Sequence, residues 1–415
     1  MLLAIACLTA AAPAQQAMPV DAGDEDVRWL QWGGPHRDFT VEAGELADAW
    51  PRRGPRELWR RGLGPGYSSI LADGDRLYTM YRQRDREVVV ALAAADGERI
   101  WEHAYDAPPH RLDRQYGGGP HATPLVVGDR IFTTGALGDL RALDKRNGRL
   151  LWSHDLWGEM RGTFRPRGYS SSPIAYGDDV IVPVGGRGQA LMAFDQASGA
   201  VRWSGGDLDN AQASPILIEV DGEAQLVALM VDFVAGFDPA NGQLLWRHEH
   251  RTDYGLNIST PVWRPGSLLF ISSAYSGGSR ALRLRLDGAV TRVEELWATN
   301  QMRVHFGTAV AVGDLMIAAS GDFGPSFLTA VDLRDGTIRW RDRSFAKASF
   351  VLADGKLVLL DEDGDLGLVR ATPTGLQVLA RASVFDSRSW TPPTLTGTTV
   401  YLRNHEEAAA FDLGR

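Results

Sequence analysis

The densest run of metal-capable oxygens in the chain is Asp361-Glu362-Asp363-Gly364-Asp365. A calcium loop spreads its oxygen ligands over about twelve residues and ends on a bidentate acid. This run is too short. Aligned on the chain's own repeat, Gly364-Asp365-Leu366 falls on Gly138-Asp139-Leu140, so a hairpin turn is expected. His248-x-His250 follows Trp246 on an expected strand. Alternate strand residues share a face, so the two imidazoles could hold a metal, but no third ligand is evident. His110-Arg111-x-x-Arg114 and Arg161-x-x-x-Arg165-x-Arg167 lie in the two longest connections. With Arg303 these arginines could form a positive rim that attracts an anionic ligand or an acidic partner surface; the plainer reading is solvated loop charge. No Ser-His-Asp order, phosphate loop or dinucleotide fingerprint occurs in a credible context, so no catalytic residue and no metal site is assigned.

The elements that position these side chains are set by an internal repeat. A small apolar pair, Asp, three residues, Gly, three residues and Trp recur as Asp144, Gly148 and Trp152, then as Asp195, Gly199 and Trp203. Asp238, Gly242 and Trp246 follow, then Asp332, Gly336 and Trp340. Ala93, Gly97 and Trp101 are the same unit with Ala in the Asp place, and copies around Trp297 and Gly375 are degenerate. The Asp carboxylate accepts backbone N–H bonds inside a turn, Gly supplies a positive φ, and Trp fills the wedge between neighbouring sheets. Upstream, Ser/Thr-Pro-apolar-x-x-Gly-Asp marks two more strands, as at Thr123-Pro124 and Ser172-Pro173. Four short strands per repeat, with Trp positions 40 to 51 residues apart, is the period of a propeller blade. The unit from Ser389 to Leu413 stops after three strands, whereas Trp59 has no strands before it. The expected fold is therefore all-β: one eight-bladed β-propeller of four-stranded antiparallel blades, closed by an N-terminal strand in the last blade.

In such a ring the innermost strand of every blade begins at one end of the central channel. Residues just before the Ser/Thr position then converge on that mouth. The alignment nominates Tyr67, His121, Tyr169, Ser170, Gln212, Asn257, His305, Lys347 and Trp390 as a ligand-binding set. Aromatic and hydrogen-bonding groups in a concavity suit a ligand. The competing reading is that they only plug the channel.

These repeats resemble the pyrroloquinoline-quinone-like propeller repeat of quinoprotein dehydrogenases and of the BamB-type outer-membrane assembly lipoproteins. The likeness covers nearly everything after residue 28. It includes the entry Trp29-Leu30-Gln31-Trp32-Gly33-Gly34-Pro35-His36-Arg37-Asp38, in which Gly33 and His36 depart from the commoner Arg and Asn. Glu57-Leu58-Trp59, Gly66-Tyr67-Ser68-Ser69, Trp157, Gly168-Tyr169-Ser170 and Arg341-Asp342-Arg343 share it. The dehydrogenases of that family imply a quinone, a calcium ion and often a vicinal disulfide. The only cysteine, Cys7, makes the disulfide impossible here, and the long insertions that build a dehydrogenase site are not seen. No cofactor is expected, with the quinone and calcium kept as an unsupported alternative.

Composition fits an envelope protein. The 415 residues carry a net charge of −9 with 46 Gly and 13 Trp, which argues against a nucleic-acid partner. After the first dozen residues no apolar run approaches the ~18–20 residues that span a bilayer, so no transmembrane helix is expected in the mature chain. Residues 1–14 read as a signal peptide with Ala12-Pro13-Ala14 before the cut; Ala4-Ile5-Ala6-Cys7 is a poor lipobox, so cleavage is favoured over lipid anchoring. Residues 15–54 then form an extension packing on the propeller, and 55–415 the propeller itself. The functional expectation is a secreted or periplasmic scaffold that binds an envelope protein or a small ligand and is not an enzyme. The alternatives are an oxidoreductase using the channel mouth and a carbohydrate-binding propeller.

Overall fold

The computed structural model describes residues 28–415, except positions 114, 116, 265 and 323 and the side chain of Arg111. The expected leader over 1–14, with Cys7, and the rim candidate Arg114 lie outside the described residues. Among these residues, 32 strands form eight four-stranded antiparallel sheets. Blades one to seven span residues 71–106, 125–155, 174–205, 216–249, 262–299, 304–342 and 348–383. The eighth contains Thr394–Thr396, Thr399–Arg403 and Glu407–Asp412, and takes Arg56–Gly62 as its outermost strand. That strand pairs from Arg56↔Asp412 to Gly62↔Glu407, so the ring closes as the repeat count requires. No described helix is long and apolar enough to cross a membrane.

The Asp-Gly-Trp unit turns out to join blades rather than stabilise one. The Trp59 indole donates to the Ala94 carbonyl of the next blade at 2.8 Å. Trp101 does the same to Lys145, Trp152 to Gln196, Trp297 to Leu333 and Trp340 to Thr372, at 2.8–3.2 Å. Most of these carbonyls directly follow the turn Asp. The rings of Trp59, Trp101, Trp152, Trp203 and Trp297 also lie against the turn glycine of the following blade. A Cβ at Gly148 would sit 2.4 Å from the Trp101 ring, and one at Gly97 2.7 Å from Trp59. These glycines are therefore fixed twice, by a positive φ (71° at Gly148) and by the indole above them. The Asp carboxylates cap the turns from inside, accepting Arg146 N–H at Asp144, Ala240 N–H at Asp238 and Arg334 N–H at Asp332. The Trp203 indole N–H finds no acceptor, and blade five explains why Trp246 is redirected. Its outer strands Gly278–Asp287 and Val290–Thr299 form a long hairpin without the Asp turn, and Trp246 instead donates to Gln225 Oε1 in its own blade at 2.7 Å.

The Ser/Thr positions staple the inner strands into a ring. Ser69 N–H donates to Thr123 Oγ1, Thr123 N–H to Ser172 Oγ and Ser172 N–H to Ser214 Oγ, each at 2.9 Å. The far ends of the inner strands meet the entry segment. Trp29 and Ala72 exchange backbone hydrogen bonds, Leu30 accepts from Val126 N–H, and Phe39 accepts from Leu352 N–H. This segment thus touches blades one, two and seven. Its Arg37 enters the channel axis and donates to the Pro215 and Pro173 carbonyls at 3.0 Å and the Ser172 carbonyl at 3.4 Å. Only 4% exposed and facing no carboxylate, its guanidinium is pushed down to about 9 by burial, which still leaves it charged at neutral pH. Residues 29–41 therefore close one end of the channel, with Trp32 held by Thr260 Oγ1 at 2.8 Å.

The inter-blade contact yields a double-mutant test. Gly148→Ala should destabilise by about 1–3 kcal/mol through overpacking, and Trp101→Ala by about 3–5 kcal/mol through the lost core contact. In the Trp101→Ala background, denaturant titration should show a smaller cost for Gly148→Ala, because the clash is gone and only the φ strain remains. Additive costs would show that the indole and the glycine do not act on each other.

Candidate functional site: a cup at the channel mouth

With one end closed, the channel is a cup of about 1200 Å³ open at the other end. Seven of the nine residues expected at the mouth line it: Tyr67, His121, Ser170, Gln212, His305, Lys347 and Trp390. Tyr169 and Asn257 do not. Tyr169 is 1% exposed and its hydroxyl donates to the Pro183 carbonyl at 2.7 Å. Asn257 donates to the Met230 and Val231 carbonyls and accepts from Ser273 Oγ at 2.6 Å. Both secure blade ends, their side chains turned into the blades, whereas in blade six the neighbours His305 and Phe306 both line the cup.

The lining side chains form an aromatic ribbon that crosses blade boundaries. Tyr67 stacks on His121 and on Trp390, each at 5.5 Å, and Phe306 lies 4.5 Å from Trp390. His305 follows at 4.8 Å from Phe306, and its Nε2 is 2.6 Å from the Tyr275 hydroxyl. Cations interleave with the rings. Lys347 Nζ lies 5.0 Å from the Phe306 centroid and donates to the Asp322 carbonyl at 2.7 Å. Arg343 rests over Phe327 at 4.5 Å and Arg381 over Phe345 at 4.8 Å. Burial lowers the Lys347 ammonium from its usual range. The wall carboxylate Glu362 accepts from the Trp390 indole at 3.0 Å. The opposite wall is neutral, built from Ser170, Ser172, Gln212 and Ser214.

The arginine rim is placed differently from the sequence expectation. Of the rim candidates whose side chains are described, only Arg167 reaches the cup, 3.9 Å from Asp113. Arg165 ties two loops together through the Asn210 carbonyl at 2.5 Å and the Gly255 carbonyl at 3.5 Å. Arg303 pairs with Asp322 at 2.9 Å, and Arg161 is an exposed residue with φ 55°. Of Arg111 only the backbone is described. The cations inside the cup, Arg343 and Arg381, were missed as site residues because they come from an outer-strand exit and from the outer strand Gly375–Ser383 rather than from inner-strand starts. Arg343 stands four residues before Lys347, and that proximity was the available signal.

The two metal candidates have other uses. Asp361 accepts the N–H groups of Asp363, Asp365 and Ala346, which makes the acidic run a turn. His250 is buried with Nε2 3.0 Å from Ser273 Oγ, and its Nδ1 accepts from Arg280 Nε at 3.0 Å; His248 instead faces Glu295. Among the described residues no three His, Cys, Asp or Glu side chains gather as a metal would require.

A family model described as outer membrane protein assembly factor BamB matches residues 84–342. A protein of that name from Alkalilimnicola ehrlichii is 28% identical over 227 residues, 54% of this chain and 52% of its own length. The chain thus spans about half the length of that curated relative. The crystal structure of BamB from Moraxella catarrhalis matches with a TM-score of 0.62 at 17% identity, over 86% of this chain and 97% of that one. Quinohemoprotein alcohol dehydrogenase from Comamonas testosteroni matches with the same TM-score at 12% identity, over 94% of this chain and 81% of that one. At these identities the two structures share the fold alone.

Four histidines give the protein a pH dependence of definite sign. Burial holds His121 and His405 near 4, and His250 and His305 near 3, against the usual 6.5. The unfolded chain therefore binds protons that the folded chain refuses, and the stability these groups contribute is complete above pH 6.5 and is lost as the pH falls toward 4. Glu87, raised to about 7 by burial, acts in the opposite direction between pH 7 and 4.5, as do Asp38, Asp139, Asp179 and Asp361, which burial also raises; the four histidines set the expected sign. Calorimetry should show the melting temperature falling from pH 7 to 4.5; a constant or rising value would contradict the neutral state of these rings.

Proposed function

This chain belongs to the family described as outer membrane protein assembly factor BamB, and from that premise we propose that it is a non-catalytic propeller scaffold of the cell envelope that receives part of a partner protein in its cup. The observation that carries this reading is the cup itself: closed by residues 29–41, open at the other end, and walled by aromatic rings from four blades. A rigid ring presents such a surface at little ordering cost, which favours binding. Among the described residues of the wall no nucleophile–base pair is evident. Glu362 is held by Trp390, and His305 is held by Tyr275.

The second reading is an oxidoreductase acting on a small molecule at the same place. Stacked rings beside Lys347 and Arg343 would suit a flat anion, and that arrangement favours it over a carbohydrate site.

A photo-crosslinking amino acid at Asp363, exposed on the cup wall, should link a discrete envelope protein in cells of the native host. The same group at Gln377, on the outer strand of blade seven, should not. Adducts from Gln377 alone, or turnover of an alcohol by the purified protein with added quinone and calcium, would overturn the scaffold reading.

A further inference from the structure

The cup is chemically uneven, and its unsatisfied groups describe an occupant. Arg343 is exposed, touches Phe327 through its charge, and has no carboxylate partner among the described residues. Lys347, close along the chain and on the same wall, spends one N–H on a backbone carbonyl, and Glu362 and Asp322 attract it without a direct ion pair. Beside them Ser326 is only 7% exposed, lines the cup, and its Oγ has no hydrogen-bond partner. Two cations and an idle hydroxyl on one wall are what a carboxylate takes up.

At the opposite end of the aromatic ribbon stands His121. Its buried Nε2 has no partner, and a hydrogen bond to the Arg167 backbone occupies the ring's other nitrogen. Burial keeps this imidazole neutral, down at about 4. The bond to a backbone carbonyl makes Nδ1 the donor, which leaves Nε2 as an acceptor in need of an N–H or O–H. Gly119 and Gly168 flank the edge of the ring that carries Nε2: Cβ atoms added there would lie 3.1–3.3 Å from Cδ2 and Nε2. Between the acid-seeking and donor-seeking ends lie the faces of Phe306, Trp390 and Tyr67.

Size separates the classes of ligand. Small-molecule pockets occupy roughly 300–1000 Å³, and this cup, at about 1200 Å³, is larger and open. We propose that the cup takes an extended acidic peptide segment, with a carboxylate at Arg343 and Lys347, an apolar side chain on Phe306 and Trp390, and a backbone N–H at His121 Nε2. This deepens the scaffold reading and rests on it. An extended peptide places alternate side chains on opposite sides, so a segment alternating acidic and apolar residues can satisfy both kinds of wall.

The probe is a fluorescein-labelled octapeptide alternating Asp and Phe, blocked at its free end, with its Asn-for-Asp counterpart as reference. By fluorescence anisotropy the Asp peptide should bind about tenfold more tightly or better. Arg343→Gln, at an exposed site, should remove most of that preference, and Lys347→Gln the remainder. His121→Phe should weaken both peptides alike. Equal binding of the two peptides, a preference untouched by Arg343→Gln, or tighter binding of oligogalacturonate than of either peptide would overturn the proposal. If the Asp363 crosslink to an envelope protein persists while the peptide preference is absent, the scaffold reading stands and this inference alone fails.

Discussion

The indole of one blade resting on the turn glycine of the next is the contact on which the ring depends. It fixes the angle between neighbouring sheets, because a flat ring seated on a residue without a Cβ leaves little freedom to splay. It also sets the order of assembly around the disc: blade eight reaches blade one through Trp59 on Gly97, in the same geometry as the Trp101–Gly148 and Trp152–Gly199 contacts. Closure is therefore not a special device added to the repeat. A strand from the other end of the sequence supplies the missing copy, and pairing it removes the free sheet edge that an open array would present.

A closed ring alone would leave an open tube. The entry segment converts it to a cup by placing a charged side chain at the axis. Arg37 satisfies its donors with carbonyls of the blade-three and blade-four inner strands and with the Gln31 side chain. Arg403, also buried without an acid, does similar work at the junction of blades eight and one, donating to the Ser68 and Met80 carbonyls. A planar fork with five donors can gather carbonyls from several strands, and an ammonium could not reach as many. The polar groups that sheets leave unpaired near the axis thus become anchoring points.

Much of this was legible in the sequence, and the boundary is instructive. The blades and the partner of Trp59 followed from a period, since every copy repeats the same turn chemistry. Tyr67, His121, Ser170, Gln212, His305, Lys347 and Trp390 followed from their place before the inner strands. Tyr169 and Asn257 shared that place but not the direction, because alignment gives position along a strand and not which side a chain faces when the segment before it bends. Arg343 and Glu362 were not read as site residues because the repeat carries no message about its connections, and Arg381 because it stands on the outer strand Gly375–Ser383, away from the inner-strand starts. The role of Arg37 was hidden for a related reason: it lies outside the repeat, and its partners are backbone atoms, which leave no trace in residue type.

Closure between residues 56–62 and 407–412 also has a temporal side. A polypeptide emerging from a ribosome or a secretion pore exposes the early strand some 350 residues before its partner exists. Pairings this distant in sequence form late and slowly. For all that interval Arg56–Gly62 must remain single without recruiting a wrong neighbour. Its composition suits the wait: Arg56, Glu57, Arg60 and Arg61 surround the one aromatic residue, so charge repulsion guards a strand whose place in the disc is the last to be filled.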